Sequence, residues 1–528
     1  MRNRTDSGDF ERKRSFAVCS VLLAGVTIVL VLTMPNCVYV GDAVAVRAGT
    51  VNLLNAGKIS VPAEYAERFG KRGQYFFQNP RNGLWYSKYG MLNSLLYVPP
   101  LFAERCVDGQ LRFFDLAGDD TLDRRCLSMN LYNIFISLCI TLYFFSTAKL
   151  YVRRGWQAAL FAAVILFGTF LWNYLRAQTV EIFQVFFFIA LYYHLTRYVR
   201  LRRGKAVVGR ARVHLTITFT FLGLLCWSKL IYVLIAPSVA LFVTLAEFDR
   251  SRFTRLRDFM IHAGRRRKQL LCTRVLLPIG CIVGVMALAN WYCFGSPLNT
   301  GYEQWAWGNQ FFTADMSDGL LGFWSDPQKS IPLYFPPLAF ALLGLRRFWR
   351  EYRSEYGFAV SVFITIYIAS SVFGDWRGGW CFGPRYLLFV LPVLSIPILS
   401  LFHSPSGRMY WRGIAVTGAV LVSVWFASKQ MVVHSVEFFT PVRAEQSFAQ
   451  FDDPRLRDYF SKPFWVINRD LIHWNSEMGE FPPLEFVGGR LSRREYKRMA
   501  DRMQHLAVHN LFWLEFRKRK QRVADGIE

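Results

Sequence analysis

The sequence lacks the residue spacings that usually hold a metal ion. Its 10 cysteines include no CxxC pair, and its 8 histidines form no His-rich stretch. Structural zinc sites are built from closely spaced ligands of these types. The sequence therefore predicts no metal site and no cofactor, and leaves only an exchangeable divalent cation open.

Acidic residues are also scarce. There are 37 Asp and Glu residues against 63 Lys and Arg, and the formal net charge is +26. A basic excess often indicates nucleic-acid binding. Here the cations cluster in short segments between long apolar stretches, where anionic lipid headgroups are the nearer partner. This pattern predicts contact with membrane lipids and no binding of nucleic acid.

Apolar residues, in contrast, make up 53% of the chain, and aromatic residues 17%. A membrane-crossing helix needs roughly 20 predominantly apolar residues. Windows of this kind predict an all-α polytopic membrane protein with about 11 transmembrane helices. The predicted spans are 15–39, 128–149, 156–173, 178–196, 213–227, 230–247, 275–294, 331–345, 357–373, 386–402 and 412–428.

The distribution of Lys and Arg predicts the orientation, because basic loops stay in the cytoplasm. Basic residues are concentrated in 1–14 and in the loops that follow every second span, whereas the long segment 296–330 contains only Lys329. The first span has no clean small-residue cleavage site, which favours an uncleaved anchor. We expect a cytoplasmic N-terminus (1–14), a transmembrane domain (15–428), a first outer loop (40–127) and a small extracytoplasmic C-terminal region (429–528).

In the first outer loop, Asp42 lies next to the exit of the first span, and an amphipathic helix follows through Leu54. A carboxylate held at the membrane surface can act as a general base. It can equally be a solvated loop residue or the N-cap of the following helix. Later in the same loop, Cys106 and Cys126 would form a disulfide in an oxidising compartment.

The next feature is the segment 84–90, which contains Tyr86, Lys88 and Tyr89, followed by the apolar stretch 91–102. The stretch is too short to span and contains two prolines, so we expect a helix lying in the membrane interface. Aromatic residues around Lys88 are typical of an interfacial belt, and they also suit a lysine directed at a lipid phosphate.

Ionisable groups also flank an outer turn, with Arg176 and Glu181 at its ends. Such groups are either snorkelling anchors or a salt bridge that shapes a cavity.

Two further outer stretches, 294–302 and 374–386, are rich in glycine and aromatic residues. Glycine permits close approach of the backbone, and arginine offers a forked donor for phosphate. The candidate residues here are Tyr302, Asp375, Trp376, Arg377, Trp380 and Arg385.

Taken in order, Asp42, the segment 86–90, the stretch 295–302 and the stretch 376–386 resemble the GT-C fold membrane glycosyltransferases, over about the first 430 residues. The likeness is to bacterial proteins similar to protein mannosyltransferases and aminoarabinose transferases. It implies a hexosyl or pentosyl transferase of the cell envelope, in the bacterial cytoplasmic (inner) membrane, with its active site on the extracytoplasmic face. It also implies a polyprenyl-phosphate sugar donor and a glycan, lipid or protein acceptor.

The resemblance implies a role for each candidate. Asp42 is the catalytic base of an inverting displacement, although Ala43 stands where many relatives have a second acid, so Glu181 and Asp375 are reserve candidates. Arg385, Lys88 and Arg176, in that order, are expected to bind the donor phosphate. The residues expected to line the substrate pocket are Glu181, Tyr89, Trp376, Arg377, Trp380 and Tyr302.

A lipid or solute transporter, or a flippase, is the alternative, because it would share the many spans and the basic inner loops. Transporters usually contain inverted repeats and polar groups near the midplane. The sequence contains no internal repeat, and its polar groups gather at one rim, which favours the transferase. A non-catalytic assembly protein is a third possibility.

Overall fold

The computed structural model describes residues 3–35, 41–68, 75–113, 124–176, 179–203, 208–247, 273–302, 312–326, 329–374, 376–378 and 383–403, together with Gly418 and Leu421. Most of the predicted span 412–428 and the whole region 429–528 lie outside these residues, as do Asp375 and Trp380.

The described chain is mostly helical, as the sequence predicts. In its first half the helices are α1 (Asn3–Leu32), α2 (Gly41–Ala56), α3 (Ala63–Arg68), α4 (Met91–Leu96), α5 (Val98–Asp108), α6 (Arg124–Ala148), α7 (Gly155–Phe167), α8 (Leu171–Arg176), α9 (Glu181–Arg203) and α10 (Val208–Ser228). In its second half they are α11 (Ala236–Glu247), α12 (Thr273–Phe294), α13 (Met316–Ser325), α14 (Ile331–Tyr334), α15 (Pro337–Ser371) and α16 (Leu391–Leu394), with 3₁₀ helices at Leu230–Ile235, Arg385–Leu387 and Ile396–His403.

Five helices of the described residues are long and apolar enough to cross a membrane. They are Lys13–Leu32, Leu127–Ala148, Glu181–Arg203, Gly209–Ser228 and Leu277–Phe294, each coinciding with a predicted span. Three shorter apolar helices, Gly155–Phe167, Leu230–Leu245 and Leu391–Phe402, overlap three more. Large apolar side chains such as Leu277 and Leu288 are exposed along α12, where lipid is the only favourable solvent. The chain is an integral membrane protein, and the number of eleven spans stays a prediction.

The centre of the bundle is α9. Its apolar window is 83% buried, against 11% for that of α1. It packs against α6, α10 and α11. Its first residue, Glu181, is also buried.

The first outer loop contains a β-hairpin, which corrects the prediction of an all-α fold. Strands β1 (Phe76–Gln78) and β2 (Trp85–Ser87) pair antiparallel, with Phe77 opposite Tyr86. The segment 79–84 joins them, and Gly83 within it has a positive φ of 70°, which glycine adopts without strain. Aromatic residues suit a pleated, half-buried surface, so strand geometry is favoured here over an interfacial coil.

The stretch 91–102 forms parts of two helices, α4 and α5, and not the single helix that the sequence predicts. The break falls at Tyr97, because Pro99 and Pro100 have no backbone N–H to donate to the preceding turn, whereas the first turn of a new helix tolerates proline. A buried ion pair ties α5 to α2, with Arg47 Nη2 at 2.7 Å from Glu104 Oε1.

The predicted spans 331–345 and 357–373 are joined by helix, where the sequence predicts a basic loop between them. A kink at Tyr352 (φ −131°, ψ 37°) divides α15 into two arms. The connecting residues are mostly Arg and Glu, which are good helix formers, and they include no Gly or Pro.

Candidate functional site

Asp42 lies in the first turn of α2, which begins at Gly41. A carboxylate at this position is stabilised by the positive end of the helix dipole. Its side chain is only 16% exposed. It accepts a hydrogen bond from the Tyr89 hydroxyl at 2.5 Å and another from Arg385 Nη1 at 3.4 Å. Asp42 is therefore not a solvated loop residue, and its two oxygens are held by two different partners.

Tyr89 reaches Asp42 because the hairpin and α4 fix its backbone. It is the second residue after β2 and precedes Gly90, which adopts a φ of 80° at the start of α4. Burial, and then the neighbouring Asp42 carboxylate, raise the pKa of Tyr89 well above its usual value. The phenol stays protonated at neutral pH, so it is the donor in this hydrogen bond.

Arg385 joins two carboxylates from distant parts of the chain. Its Nη1 lies 3.4 Å from Asp42 Oδ2 and 3.5 Å from Glu181 Oε1. The guanidinium sits on a 3₁₀ turn that begins immediately after Pro384, and Glu181 is the first residue of α9. Asp42, Glu181 and Arg385, which lie in three separate segments of the sequence, therefore meet at one point.

A further cation, Lys229, belongs to this group and was missed by the sequence analysis. It lies between α10 and the 3₁₀ helix Leu230–Ile235. Its Nζ is 4.4 Å from the centre of the Tyr386 ring, and its charge acts on Glu181 together with those of Arg385 and Asp42. One signal was available: Lys229 is the sole cation in the two-residue connection between the predicted spans 213–227 and 230–247.

Lys88 is buried among tyrosines. Its Nζ lies 5.2 Å from the ring centre of Tyr89, 5.4 Å from that of Tyr302 and 6.0 Å from that of Tyr75. Only 4% of the residue is exposed. Rings at these distances stabilise a cation through their negative faces. This burial does not fit an interfacial belt, whose residues face the headgroups.

Tyr302 connects Lys88 to the carboxylates. Its ring stands perpendicular to that of Tyr89 at 6.2 Å. Burial and the Asp42 carboxylate raise the pKa of Tyr302, so it too keeps its proton. The preceding Gly301 has a φ of 81°, and a Cβ there would lie 2.7 Å from Phe294 and 3.0 Å from the Lys88 carbonyl oxygen. Only glycine allows this close approach of the two segments.

The other predicted site residues have different surroundings. Trp376 packs on Phe323 of α13 at 5.4 Å between ring centres. Arg377 is largely exposed and pairs with Asp326 at 2.9 Å. Arg176 is buried at the end of α8. Roles for these three residues in substrate binding stay predictions.

Over the described ranges, no group of three or more His, Cys, Asp or Glu residues is placed to hold a metal ion. Cys106 is exposed, and the side chain of Cys126 lies outside the described residues, so the disulfide stays a prediction.

No protein-family model matches the chain, and no curated protein sequence matches it. Among solved structures, the chain is similar to ArnT from Cupriavidus metallidurans bound to undecaprenyl phosphate. The TM-score is 0.47 at 14% identity, over 92% of this chain and 76% of ArnT.

It is also similar to the archaeal oligosaccharyltransferase AglB from Archaeoglobus fulgidus, in complex with an inhibitory peptide and a dolichol-phosphate. Here the TM-score is 0.45 at 12% identity, and the match covers 87% of this chain but only 59% of AglB. With TM-scores below 0.5, neither likeness assigns a reaction or a substrate to this chain.

The chemistry of the group can be stated from its own residues. Arg385 contacts both carboxylates, Asp42 and Glu181. Lys229 lies over the same Tyr386 ring as Arg385, and Lys88 lies over the ring of Tyr89, whose hydroxyl donates to Asp42. We call these five charged residues the charge cluster. With both carboxylates ionised it carries one net positive charge, so it is suited to bind a monoanion beside a carboxylate.

Proposed function

We propose that the protein is a glycosyltransferase that moves a sugar from a polyprenyl-phosphate donor to an acceptor on the outer face of the membrane. The observation that carries this proposal is the Asp42 carboxylate, held between a tyrosine donor and the Arg385 guanidinium within the charge cluster. The order of the motifs along the sequence, described above, supports the same reaction.

In this proposal the donor phosphate binds to the cations of the charge cluster. A polyprenyl-phosphate sugar is a phosphodiester with one negative charge, which balances the single net positive charge of the cluster. Arginine binds phosphate oxygens through paired N–H donors. The donor would compete with Asp42 for Arg385 and leave the Oδ2 atom able to accept a proton.

Asp42 is the general base in the transfer step. The acceptor hydroxyl or amine gives its proton to Asp42, the bond between acceptor and anomeric carbon forms, and the bond to the phosphate oxygen breaks. Displacement in one step inverts the configuration, because no second carboxylate attacks the sugar.

The charges remain balanced through this step. The leaving polyprenyl phosphate is a monoester and carries a second negative charge. At the same time protonation of Asp42 raises the net charge of the cluster from one to two. Electrostatic stabilisation aimed at the place where charge develops is often the largest catalytic contribution.

The proposed outer location rests on the distribution of basic residues. The predicted outer segments contribute Asp42, Lys88, Glu181, Lys229 and Arg385. A lipid-linked donor is available there, whereas nucleotide sugars are confined to the cytoplasm.

The test is sugar release in liposomes that contain the purified protein. The probes are radiolabelled undecaprenyl-phosphate hexoses and pentoses, and an envelope extract supplies the acceptor. We expect Asp42→Asn to lower the rate about 100-fold or more, the usual contribution of a general base. Arg385→Gln should raise the donor KM. Glu64→Gln and Arg112→Gln, which alter exposed charges of the same outer loop, should keep the rate of the unaltered protein.

Full activity of Asp42→Asn would refute its role as the base. If no donor of the panel is consumed, and the liposomes instead move a fluorescent lipid phosphate between leaflets, the flippase is the correct interpretation. The same cluster would then bind the lipid phosphate without chemistry.

A further inference from the structure

A groove lies along α15 on both sides of its kink. The residues that line it are Leu342, Leu345, Arg346, Trp349, Arg350, Tyr356 and Val360. The first five belong to the arm before Tyr352 and the last two to the arm after it, so the bend in the helix shapes the groove. Its volume is about 590 Å³. Small-molecule sites typically occupy roughly 300–1,000 Å³.

The walls of this groove are apolar and its cations are arranged on one side. Arg346 and Arg350 are one helical turn apart, so they project from the same face of the helix. In the part of the chain that the structure describes, neither has a carboxylate partner. Glu351, which follows Arg350 in the sequence, pairs with Arg347 at 3.1 Å. Two guanidinium groups beside aliphatic side chains are suited to a ligand with an anionic head and an apolar tail.

The acidic residue Glu355, near the groove, also forms its ion pairs with arginines outside the groove. Glu355 lies close in sequence to the groove, but Arg200 and Arg203 approach it at 3.7 and 3.8 Å. Arg353 lies over the ring of Trp349 at 5.8 Å and adds a third positive charge at the rim. The groove therefore presents a positive potential that the described carboxylates leave uncompensated.

The groove lies at the end of the bundle opposite the charge cluster. Glu181 begins α9, and Arg200, which contacts Glu355 beside the groove, is nineteen residues further along the same helix. At about 1.5 Å per residue the two ends are roughly 28 Å apart, which is close to the thickness of the hydrocarbon core. Trp349 is 39% exposed and packs against Tyr356, as aromatic residues do at headgroup depth.

We propose that this groove binds one anionic glycerophospholipid of the leaflet facing the predicted cytoplasmic side. Arg346 and Arg350 contact its phosphate, and Leu342, Leu345 and Val360 contact the first methylene groups of its acyl chains. Basic pockets at this depth select anionic over zwitterionic headgroups. The site is separate from the proposed transferase chemistry and independent of it.

The experiment is native mass spectrometry of the full-length protein in detergent, titrated with phosphatidylglycerol or with phosphatidylcholine of the same acyl chains. We expect one phosphatidylglycerol to bind at least tenfold more tightly than phosphatidylcholine. Arg346→Gln/Arg350→Gln should abolish this difference. Arg153→Gln/Arg154→Gln removes two exposed charges outside the groove and should preserve it.

A second variant tests the apolar part without changing charge. Val360→Trp fills the groove, and it should weaken phosphatidylglycerol binding about tenfold and remove the rise in Tm that the lipid gives the unaltered protein. Three results would overturn the proposal: equal binding of the two lipids, undiminished binding by the double arginine variant, or displacement of the lipid by equimolar glycerol 3-phosphate, which would indicate a simple anion site.

Discussion

The Tyr89 hydroxyl and the Asp42 carboxylate form a hydrogen bond of 2.5 Å between a residue that follows the β-hairpin and one that opens α2. Tyr89 is a donor here because burial and Asp42 itself raise its pKa. The bond fixes one carboxylate oxygen and leaves the other to Arg385. The orientation of the proposed base therefore depends on the hairpin, which places Tyr89.

We expect Tyr89→Phe to lower kcat for sugar release by about tenfold with little change in the donor KM, because the base loses its orientation and not its charge. Combined with Asp42→Asn, it should cause almost no additional loss, since residues that act as a unit are not additive. A four-enzyme cycle of initial rates tests this. Full additivity of the two losses would separate Tyr89 from the base.

Lys229→Met should raise the donor KM about tenfold, whereas Lys229→Arg should restore most of the affinity because it keeps the positive charge. The matched control is Lys58→Met, which removes an exposed lysine of the first outer loop. Donor saturation curves in liposomes measure the effect. An unchanged KM in Lys229→Met would exclude this lysine from phosphate binding.

The buried pair Arg47–Glu104 predicts a stability effect. Both side chains are almost fully buried, at 1% and 3% exposure. Glu104→Leu alone would remove a buried charge that Arg47 contacts and should destabilise the fold by about 3 kcal/mol or more, whereas Arg47→Met/Glu104→Leu should recover much of the loss. Thermal unfolding in detergent compares the three proteins. A double variant less stable than Glu104→Leu would contradict this.

Tyr86 predicts a pH dependence. Burial raises its pKa to about 12, while in the unfolded chain it is near 10. The folded state therefore holds the phenolic proton more tightly. Its contribution to stability is complete below pH 10 and is lost as the pH rises towards 12. Tyr86→Phe should lose less Tm between pH 9 and pH 11 than the unaltered protein. Parallel losses would exclude Tyr86 as the group responsible.

Much of the fold was predictable because membrane insertion of a segment depends on the summed hydropathy of its consecutive residues. The hydropathy of some 20 consecutive residues predicts a span wherever it occurs, and five helices of the structure coincide with such windows. The helix that begins near Asp42 was likewise predictable from an amphipathic pattern. The hairpin and the helical connection through Tyr352 were missed, because a hydropathy window does not register them. Their local signals are the β-favouring aromatic residues of the strands and the helix-favouring Arg and Glu residues of the connection.

By itself the sequence determined that the chain crosses a membrane, and it identified Asp42, Lys88 and Arg385 as candidates; the gathering of its cations on one side stays a prediction. Only the tertiary structure decided that Arg385 meets Asp42 across 343 positions, that Glu181 shares the same guanidinium, that Lys229 joins them and that Arg377 pairs with Asp326. The physical reason is that the first kind of property depends on neighbours in the sequence and the second on neighbours in space. Hydropathy adds up along the chain, whereas an ion pair requires two side chains to be within a few ångströms, and that distance is set by how the helices pack.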